Sequence, residues 1–347
     1  MSWHGIEGHD RIVEQFRRAL ERGRLAASFL FIGPAGVGKR TFALKLAESL
    51  LCERHDAAEL DPCGTCAACQ QVIAGTHPDV HVVGKPAERS FIPLELFVGD
   101  KEHRGREGLC HNLAMKPYSG RRRVAVIDDA DYMNEEGANV LLKTLEEPPP
   151  HSLLILVGTS PAKQLPTIRS RCQLVRFEPL PDEVVTRLLS EQRIAADAAQ
   201  AERLARYSGG SLERAAELAD TDLWSFREKL LTSLSGRVLD SPALAGEVSR
   251  FVDAAGKPAP PRRARLRQVV GFAAEFYRHL LRLGVGDERL GDEQLRAHLD
   301  ASLAARGFEA DRVARQLQRC LDTAEQIDRN ANQSTLIEAW LDDLAAA

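Results

Sequence analysis

The sequence predicts an α/β fold in which a parallel, doubly wound sheet is covered by helices in three layers, followed by a helical C-terminal part. Three observations predict this architecture. Short apolar runs, typical of buried strands, alternate with amphipathic segments up to about residue 178. One of these runs, residues 29–32, leads into a glycine-rich turn and then a helix, which is the local order of a phosphate-binding loop. Beyond Pro179, apolar residues recur only at helical spacing.

The composition is that of a soluble globular protein with more than one domain. The chain has 347 residues, of which 44% are hydrophobic and 28% are charged, so two or three domains are expected. The net charge of −4 argues against a surface that holds nucleic acid by charge alone. The first residues form no basic-then-apolar leader and no 18 apolar residues run together, so we expect no membrane partner and a location in the cytoplasm.

The predicted elements follow one another in a regular order. An amphipathic helix over residues 8–24 precedes the first strand, and the helix after the glycine-rich turn extends to about residue 50. A later helix over 135–147 ends there because Pro148 cannot continue it. Segment 84–108 has no readable periodicity. The remaining strands are predicted at 80–83, 124–127, 153–157 and 173–177.

The glycine-rich turn matches a phosphate loop except at its last position. Backbone N–H groups of such a loop surround phosphate, and the lysine reaches the outer phosphates. The hydroxyl that should bind Mg²⁺ is replaced by Arg40, and Thr41 lies about 100° further around the helix. Glycines kept only for the backbone turn are the alternative. The candidate nucleotide-binding residues are Gly33, Gly36, Gly38, Lys39, Arg40 and Thr41.

Four cysteines at short spacing predict a structural zinc site. The pattern C-x10-C-x2-C-x2-C comprises Cys52, Cys63, Cys66 and Cys69. Clustered thiolates suit tetrahedral zinc, and four protein ligands would close the site. The alternatives are four reduced thiols, or His55 in place of Cys52. His77 and His81 are better explained as loop or strand-face histidines, and the other three cysteines as plain thiols.

Polar residues follow two predicted strands at the edge where a phosphate loop opens. Asp128 and Asp129 come directly after strand 124–127. Carboxylates at this position beside a phosphate loop bind Mg²⁺ and orient an attacking water. Asp128 would serve the metal, and Asp129 stands at the catalytic position although Asp reaches less far than Glu. Both acids could instead cap the helix that begins near Asn134. Thr159 follows strand 153–157 and could sense a γ-phosphate or be a turn hydroxyl.

Together these motifs resemble the bacterial clamp-loader subunits of the AAA+ superfamily, most closely the delta-prime family of DNA polymerase III. The motifs are residues 33–39, the four-cysteine insertion, 127–131, 141–149 and the Ser-Arg-Cys trio at 170–172. The resemblance covers the chain to about residue 220, and the last third only weakly. It implies an AAA+ P-loop domain over 1–178 with a zinc module at 52–69, a helical lid over 179–220, and an all-helical collar over 221–347.

The resemblance also implies partners and a role for one arginine. In that family, gamma/tau-type motors and a delta-type clamp opener form a hetero-pentamer that uses ATP to load a ring-shaped sliding clamp onto primed DNA. Arg171 matches the Ser-Arg-Cys arginine that projects into a neighbouring subunit's ATP site. An arginine supplied in trans stabilises charge on the transferred phosphoryl group. A structural salt bridge is the alternative interpretation of Arg171.

Departures from the motor subunits indicate that this chain has little ATPase of its own. Arg40 replaces the metal-binding Thr, and Asp129 replaces the catalytic Glu. Glu213 stands where the motors have a second sensor arginine, and Arg214, one residue late, is the candidate nucleotide-binding residue at this place. ATP, if bound, would lack its usual Mg²⁺ coordination. Two other hypotheses stay open at this point: an active gamma/tau-type ATPase, and a zinc-dependent nucleic-acid-binding module on an inert P-loop fold.

Overall fold

The computed structural model describes residues 3–86, 88–118, 121–286 and 292–346. The chain forms two compact units, Met1–Ala219 and Asp220–Ala347. Among the described helices, none combines the length and the apolar character needed to cross a membrane. The three-domain division at residues 178 and 220 stays a prediction, because the first unit contains both the sheet and the helices after residue 179.

A five-stranded parallel sheet forms the centre of the first unit and confirms the predicted α/β fold. The strands lie in the order β2-β3-β4-β1-β5, so the strand that precedes the glycine-rich turn is flanked on both sides. The register pairs Ile32 with Gly158 and Ile127 with Leu156. The strands are β1 (Ser28–Ile32), β2 (Val80–Val83), β3 (Arg123–Ile127), β4 (Ser152–Gly158) and β5 (Gln173–Arg176).

Both faces of this sheet are covered, which explains why its central strands are almost entirely apolar after their first residue. Every residue of β1 and of β4 is buried. Successive side chains of β1 point to opposite faces, so Phe29 and Phe31 join one hydrophobic cluster while Leu30 and Ile32 join the other. The predicted layering of helices on a parallel sheet therefore holds, and it fixes the carboxyl ends of β1, β3 and β4 at one edge.

The described part of the first unit contains ten helices. Helix α2 begins at Lys39, directly after the glycine-rich turn. Four short helices, α3, α4, α5 and α7, lie in segments where periodicity predicted no helix. The helices are α1 (Asp10–Glu21), α2 (Lys39–Leu51), α3 (Ala67–Ala74), α4 (Glu95–Val98), α5 (Leu109–Ala114), α6 (Glu135–Glu146), α7 (Pro166–Arg169), α8 (Asp182–Glu191), α9 (Ala198–Ser208) and α10 (Leu212–Glu217).

The start of α6 decides between two interpretations of the acids after β3. Asn134 is the N-cap residue, and its Oδ1 accepts a hydrogen bond from the Gly137 N–H at 2.9 Å. An Asn side chain in this position satisfies an amide that the helix itself leaves unpaired. Asp128 and Asp129 are therefore not needed as caps for α6, so both carboxylates are available for another role at the sheet edge.

The second unit is helical in all of its described elements. Its interior contains the fully buried Trp340, Tyr277 and Phe276, which lie on the longest helix and the last one. Arg227 is buried and forms an ion pair with Asp292 at 2.8 Å. The helices are α11 (Thr221–Ser235), α12 (Ser241–Asp253), α13 (Ala259–Gly284), α14 (Glu293–Arg306), α15 (Ala310–Asp328) and α16 (Gln333–Ala346).

Candidate nucleotide-binding site and metal cluster

The turn between β1 and α2 has the backbone of a phosphate loop. Gly36 has a φ of 70° and Gly38 a φ of 94°, in the left-handed region that favours glycine. A Cβ on Gly36 would also lie 2.6 Å from the Cβ of Glu213, so no side chain fits there. Two of the predicted glycines are therefore required by the conformation of the turn and by its close packing.

A cavity of about 670 Å³ opens beside this turn, at the carboxyl edge of the sheet. Most of the residues predicted from sequence meet in its wall. Gly33 and Arg214 are not among the lining residues, whereas Glu213 is. The predicted residues that line the cavity are Gly36, Gly38, Lys39, Arg40, Thr41, Asp128, Asp129 and Thr159.

The two cations that follow the turn contact the protein itself. Lys39 is 6% exposed, and its Nζ donates hydrogen bonds to the carbonyls of Gly33, at 2.8 Å, and Pro34. Burial lowers the pKa of Lys39. Arg40 Nε lies 3.5 Å from Asp128 Oδ2. The position that should offer a hydroxyl to a metal therefore presents a guanidinium to the carboxylate that should share that metal.

The second carboxylate after β3 lies in an unusual environment. Asp129 has a φ of 55°, and burial, followed by the negative charge of Asp128, raises the pKa of its carboxyl group. Its own N–H donates to Asp128 Oδ1 at 3.1 Å. As N-cap of a short 3₁₀ turn over residues 130–132, Asp129 accepts no capping hydrogen bond with its side chain. Both acids line the cavity, where the sequence placed them.

A third carboxylate, Asp131, organises this edge and had no assigned role in the sequence analysis. Its side chain is 4% exposed and accepts hydrogen bonds from the Thr159 N–H at 2.9 Å, the Thr159 hydroxyl and Gln164 Nε2 at 2.6 Å. Thr159 is thus held by Asp131 across the sheet edge. The sequence signal was present, because Asp131 is the last residue of the motif at 127–131, but its partners lie 28 and 33 residues away.

Helix α10 packs directly on the glycine-rich turn. The Leu212 N–H donates to the Gly36 carbonyl at 3.0 Å. Ser211 is buried and its Oγ accepts from the Arg214 N–H, so it caps α10. Glu213 lines the cavity next to the turn, and Arg214 is exposed and does not. The one-residue offset seen in the sequence therefore places a carboxylate, rather than a guanidinium, at the cavity wall.

His9 also lies at this turn and was not foreseen. Its Nε2 lies 2.7 Å from the Val37 carbonyl, and its ring packs edge-on against Phe177. Burial lowers the pKa of this imidazole, which favours the neutral form. A neutral His9 can donate a hydrogen bond to the Val37 carbonyl and so stabilise the turn. Sequence spacing could not find it, because 28 residues separate His9 from Val37.

The four predicted cysteines form one cluster that could hold a metal ion. The sulfurs of Cys52, Cys63, Cys66 and Cys69 all lie within 4.8 Å of one another. Backbone N–H groups point at them: Cys66 N lies 3.3 Å from Cys63 Sγ, and Cys69 N lies 3.4 Å from Cys66 Sγ. Hydrogen bonds, the largest from the Thr65 backbone, lower the pKa of Cys63 to about 6. The donor set and its hydrogen bonds fit a thiolate-bound cation.

The histidines considered as alternative ligands have other contacts. His55 Nδ1 lies 2.5 Å from the Asp61 carbonyl, in a separate group with Glu59 and Asp61, so it does not replace Cys52. His77 Nδ1 accepts from the Asp79 N–H at 3.1 Å, and His81 Nε2 lies 3.1 Å from an Arg123 nitrogen. These two histidines are a loop and a strand-face residue, as the sequence favoured.

Arg171 lies on the surface, two residues after the end of α7. Its side chain is 32% exposed, and Nε and Nη2 both donate to Glu146 Oε1, at 3.0 and 2.6 Å. Nη1 donates to the Thr167 carbonyl at 2.9 Å and to Ser170 Oγ at 3.2 Å. The salt bridge considered as an alternative role is therefore present. Since the guanidinium is also accessible, the ion pair does not exclude contact with another molecule.

The chain is similar to known subunits of DNA polymerase III. The family model described as "DNA polymerase III, delta subunit" matches residues 8–181. The delta' subunit of DNA polymerase III from Bacillus subtilis is 27% identical over 341 residues, which is 97% of each chain. The delta' subunit from Pseudomonas aeruginosa is 38% identical over 191 residues, 55% of each chain.

Two further proteins either match over only part of their length or have low sequence identity to this chain. The tau subunit of DNA polymerase III from Escherichia coli is 31% identical over 260 residues, covering 73% of this chain and 38% of the relative. A solved structure of a gamma subunit-related protein from Thermotoga maritima covers 96% of this chain and 98% of that one, with 16% identity and a TM-score of 0.38.

We predict that Asp131→Asn lowers the free energy of unfolding by about 1–3 kcal/mol, because an amide turns a donor toward Thr159 or Gln164 in a nearly closed site. The midpoint of urea unfolding measures the effect. The matched control is Glu202→Gln, an exposed acid-to-amide change within α9, for which about 0.5 kcal/mol or less is expected. Equal midpoints for the two variants would show that the Asp131 hydrogen bonds do not stabilise this edge.

Proposed function

Because the chain belongs to the delta' family of DNA polymerase III clamp-loader subunits, we propose that it is a largely ATPase-inactive clamp-loader subunit that donates Arg171 to a neighbouring motor. Its partners in the proposal are gamma/tau-type motors and a delta-type clamp opener in a cytoplasmic hetero-pentamer. That assembly would use ATP to load the sliding clamp onto primed DNA. Polymerase chemistry would belong to the holoenzyme and not to this chain.

One observation supports the proposal that this chain has little ATPase activity. Arg40 faces Asp128 at the position where a metal-binding hydroxyl is needed. Mg²⁺ requires oxygen ligands in near-octahedral geometry, and a guanidinium offers only N–H donors. The ion pair itself is partly exposed and contributes at most about 1 kcal/mol, so the missing ligand matters more than the pair. A nucleotide in this cavity would hold its metal with Asp128 alone, against a fixed positive charge.

The charge balance of the cavity points in the same direction. Among its described lining residues are five carboxylates, against the cations Lys39, Arg40 and Lys163. Lys39 is turned to loop carbonyls, and Glu213 stands beside the turn where phosphate oxygens would approach. The negative charges of these carboxylates oppose binding of a negatively charged triphosphate unless a metal ion compensates them. ATP binding is therefore expected to be weak, and hydrolysis weaker.

The contacts of Arg171 support its proposed role at a neighbouring subunit's ATP site. Its guanidinium uses four N–H groups on Glu146, Thr167 and Ser170, which fixes its plane and leaves one Nη2 hydrogen for another acceptor. A held, surface-exposed fork loses less entropy when it meets a phosphate than a freely rotating one. An arginine in this state suits contact with a γ-phosphate that is bound by another subunit.

We assign zinc to the four-cysteine cluster. In a tetrahedral site with Zn–S bonds of about 2.3 Å, sulfurs lie roughly 3.8 Å apart. Cys63 Sγ and Cys69 Sγ are 4.0 Å apart. Four protein ligands leave no open position, so zinc would stabilise the segment from Cys52 to Cys69 and supply no catalysis. Its contribution would be to the folding of this insertion.

The proposal expects no intrinsic ATPase above background. The purified chain should hydrolyse ATP no faster than its Lys39→Ala variant, because both lack a complete metal site. Phosphate release at saturating ATP and Mg²⁺ measures this. Substantial turnover that Lys39→Ala abolishes would instead support the active gamma/tau-type ATPase.

The trans role is tested in the assembled complex. Arg171→Ala should slow ATP turnover at the adjacent motor site by about tenfold or more, since a trans arginine can contribute roughly 10³–10⁵ in related phosphoryl transfers. The measurement is ATP turnover of the reconstituted clamp loader with clamp and primed DNA. Arg169→Ala, which changes an exposed arginine at the end of α7, is the matched control. An unchanged rate with intact assembly would remove the trans role.

Zinc binding is tested by metal analysis and melting. Cys66→Ser should lose bound zinc and lower the melting temperature by more than about 5 °C, because the metal links ligands across the insertion. A chelator should reproduce the shift in the unchanged chain. Cys110→Ser, outside the cluster, should keep its zinc and its response to the chelator. A chain without zinc whose melting does not respond to chelator would contradict the assignment.

A further inference from the structure

A second cavity lies beside the metal cluster and is lined by three arginines. It has a volume of about 450 Å³ and is formed by the end of α2, the segment between Cys52 and Cys63, and the residues that precede β3. Arg54, Arg121 and Arg122 all line it. Two of these belong to a run of three consecutive arginines at 121–123.

None of these three arginines has a carboxylate partner within the described parts of the chain. Arg54 donates to Thr65 Oγ1 at 2.9 Å. Arg121 donates to two backbone carbonyls, those of Cys52 and Glu53. Arg122 is half-buried and forms no hydrogen bond or ion pair with another described residue. Burial without a counter-charge lowers its pKa.

The next arginine in the sequence, Arg123, has partners for its guanidinium group. Arg123 Nε lies 3.6 Å from Asp79, donates to the Lys116 carbonyl at 3.1 Å and contacts His81. Arg123, the first residue of β3, is thus neutralised by Asp79, whereas Arg122, the residue before the strand, lines the cavity. Two consecutive arginines therefore differ: Arg123 has a carboxylate partner, and Arg122 has none among the described residues.

The acids near the cavity do not neutralise the arginines. Asp56 Oδ1 accepts from the Ala58 N–H at 2.8 Å and caps the short turn that follows. Glu53 also lines the cavity, but within the described part of the chain neither acid forms an ion pair with any of the three guanidiniums. Three fixed positive charges therefore share one cavity with two carboxylates. Leaving a guanidinium partly buried without an anion is unfavourable, and a bound anion would reverse that cost.

We propose that this cavity binds a phosphate group, supplied either by inorganic phosphate or by a nucleic-acid backbone. Guanidinium forks match phosphate oxygens with paired hydrogen bonds, and several of them can share one tetrahedral anion. Arg121 ties the site to the metal cluster, because its donors bind the carbonyls of Cys52 and Glu53 at the start of the cysteine segment. The site is separate from the glycine-rich turn and does not depend on the proposed clamp-loader role.

The test uses the full-length, metal-loaded chain carrying Lys39→Ala, so that the glycine-rich turn does not contribute to phosphate binding. Binding of inorganic phosphate is measured by calorimetry, and binding of a labelled single-stranded oligonucleotide by anisotropy over a range of salt. Arg122→Gln should weaken phosphate binding at least about tenfold, which corresponds to one lost charge-assisted contact. Arg54→Gln should weaken it in the same direction, and Arg122→Lys should restore part of it.

The two binding measurements distinguish inorganic phosphate from a nucleic-acid backbone as the ligand. Arg237→Gln, an exposed arginine in the second unit, should change neither measurement. If Arg122→Gln also weakens oligonucleotide binding and lowers its salt dependence by about one phosphate contact, the ligand is a nucleic-acid backbone. If only inorganic phosphate is affected, the ligand is a free phosphate. Phosphate binding that is absent, or equal in Arg122→Gln and Arg237→Gln at unchanged metal content, overturns the proposal.

Discussion

The contact between Arg40 and Asp128 is the constraint on which the candidate site depends. A phosphate loop works by leaving its N–H groups and lysine free for phosphate, and a hydroxyl and a carboxylate free for metal. Here the guanidinium meets the carboxylate, and Lys39 is held by the carbonyls of Gly33 and Pro34. Both cations of the loop thus contact the protein itself. A turn of this kind can persist as a rigid part of the structure without nucleotide.

The surroundings of the loop add to that rigidity. Leu212 donates to the Gly36 carbonyl, His9 lies at hydrogen-bonding distance from Val37, and Asp131 holds Thr159 and Gln164 at the neighbouring strand end. Each contact joins segments that are distant in the chain. A subunit built in this way is suited to present a surface group in a fixed place. Arg171, held by Glu146 and still accessible, is such a group.

The insertion with four cysteines, which could hold a metal ion, lies next to the arginines that precede β3. Arg121 binds the backbone at the start of the cysteine segment, and Arg122 enters the adjacent cavity without a counter-ion among the described residues. The overall charge of −4 had argued against general binding of nucleic acid. A local cluster of guanidiniums is compatible with that total, because a net charge says nothing about where the charges lie.

The sequence by itself determined the parallel α/β fold, the glycine-rich turn, the cysteine cluster and the acids after β3, because each is encoded by neighbouring residues with a fixed period or spacing. The tertiary structure decided the charge partners. Asp131 reaches Thr159, Glu213 rather than Arg214 lines the cavity, and the segment between Cys52 and Cys63 meets the arginines before β3. These pairings join residues tens of positions apart, and no local pattern specifies which distant side chains the packed elements bring together.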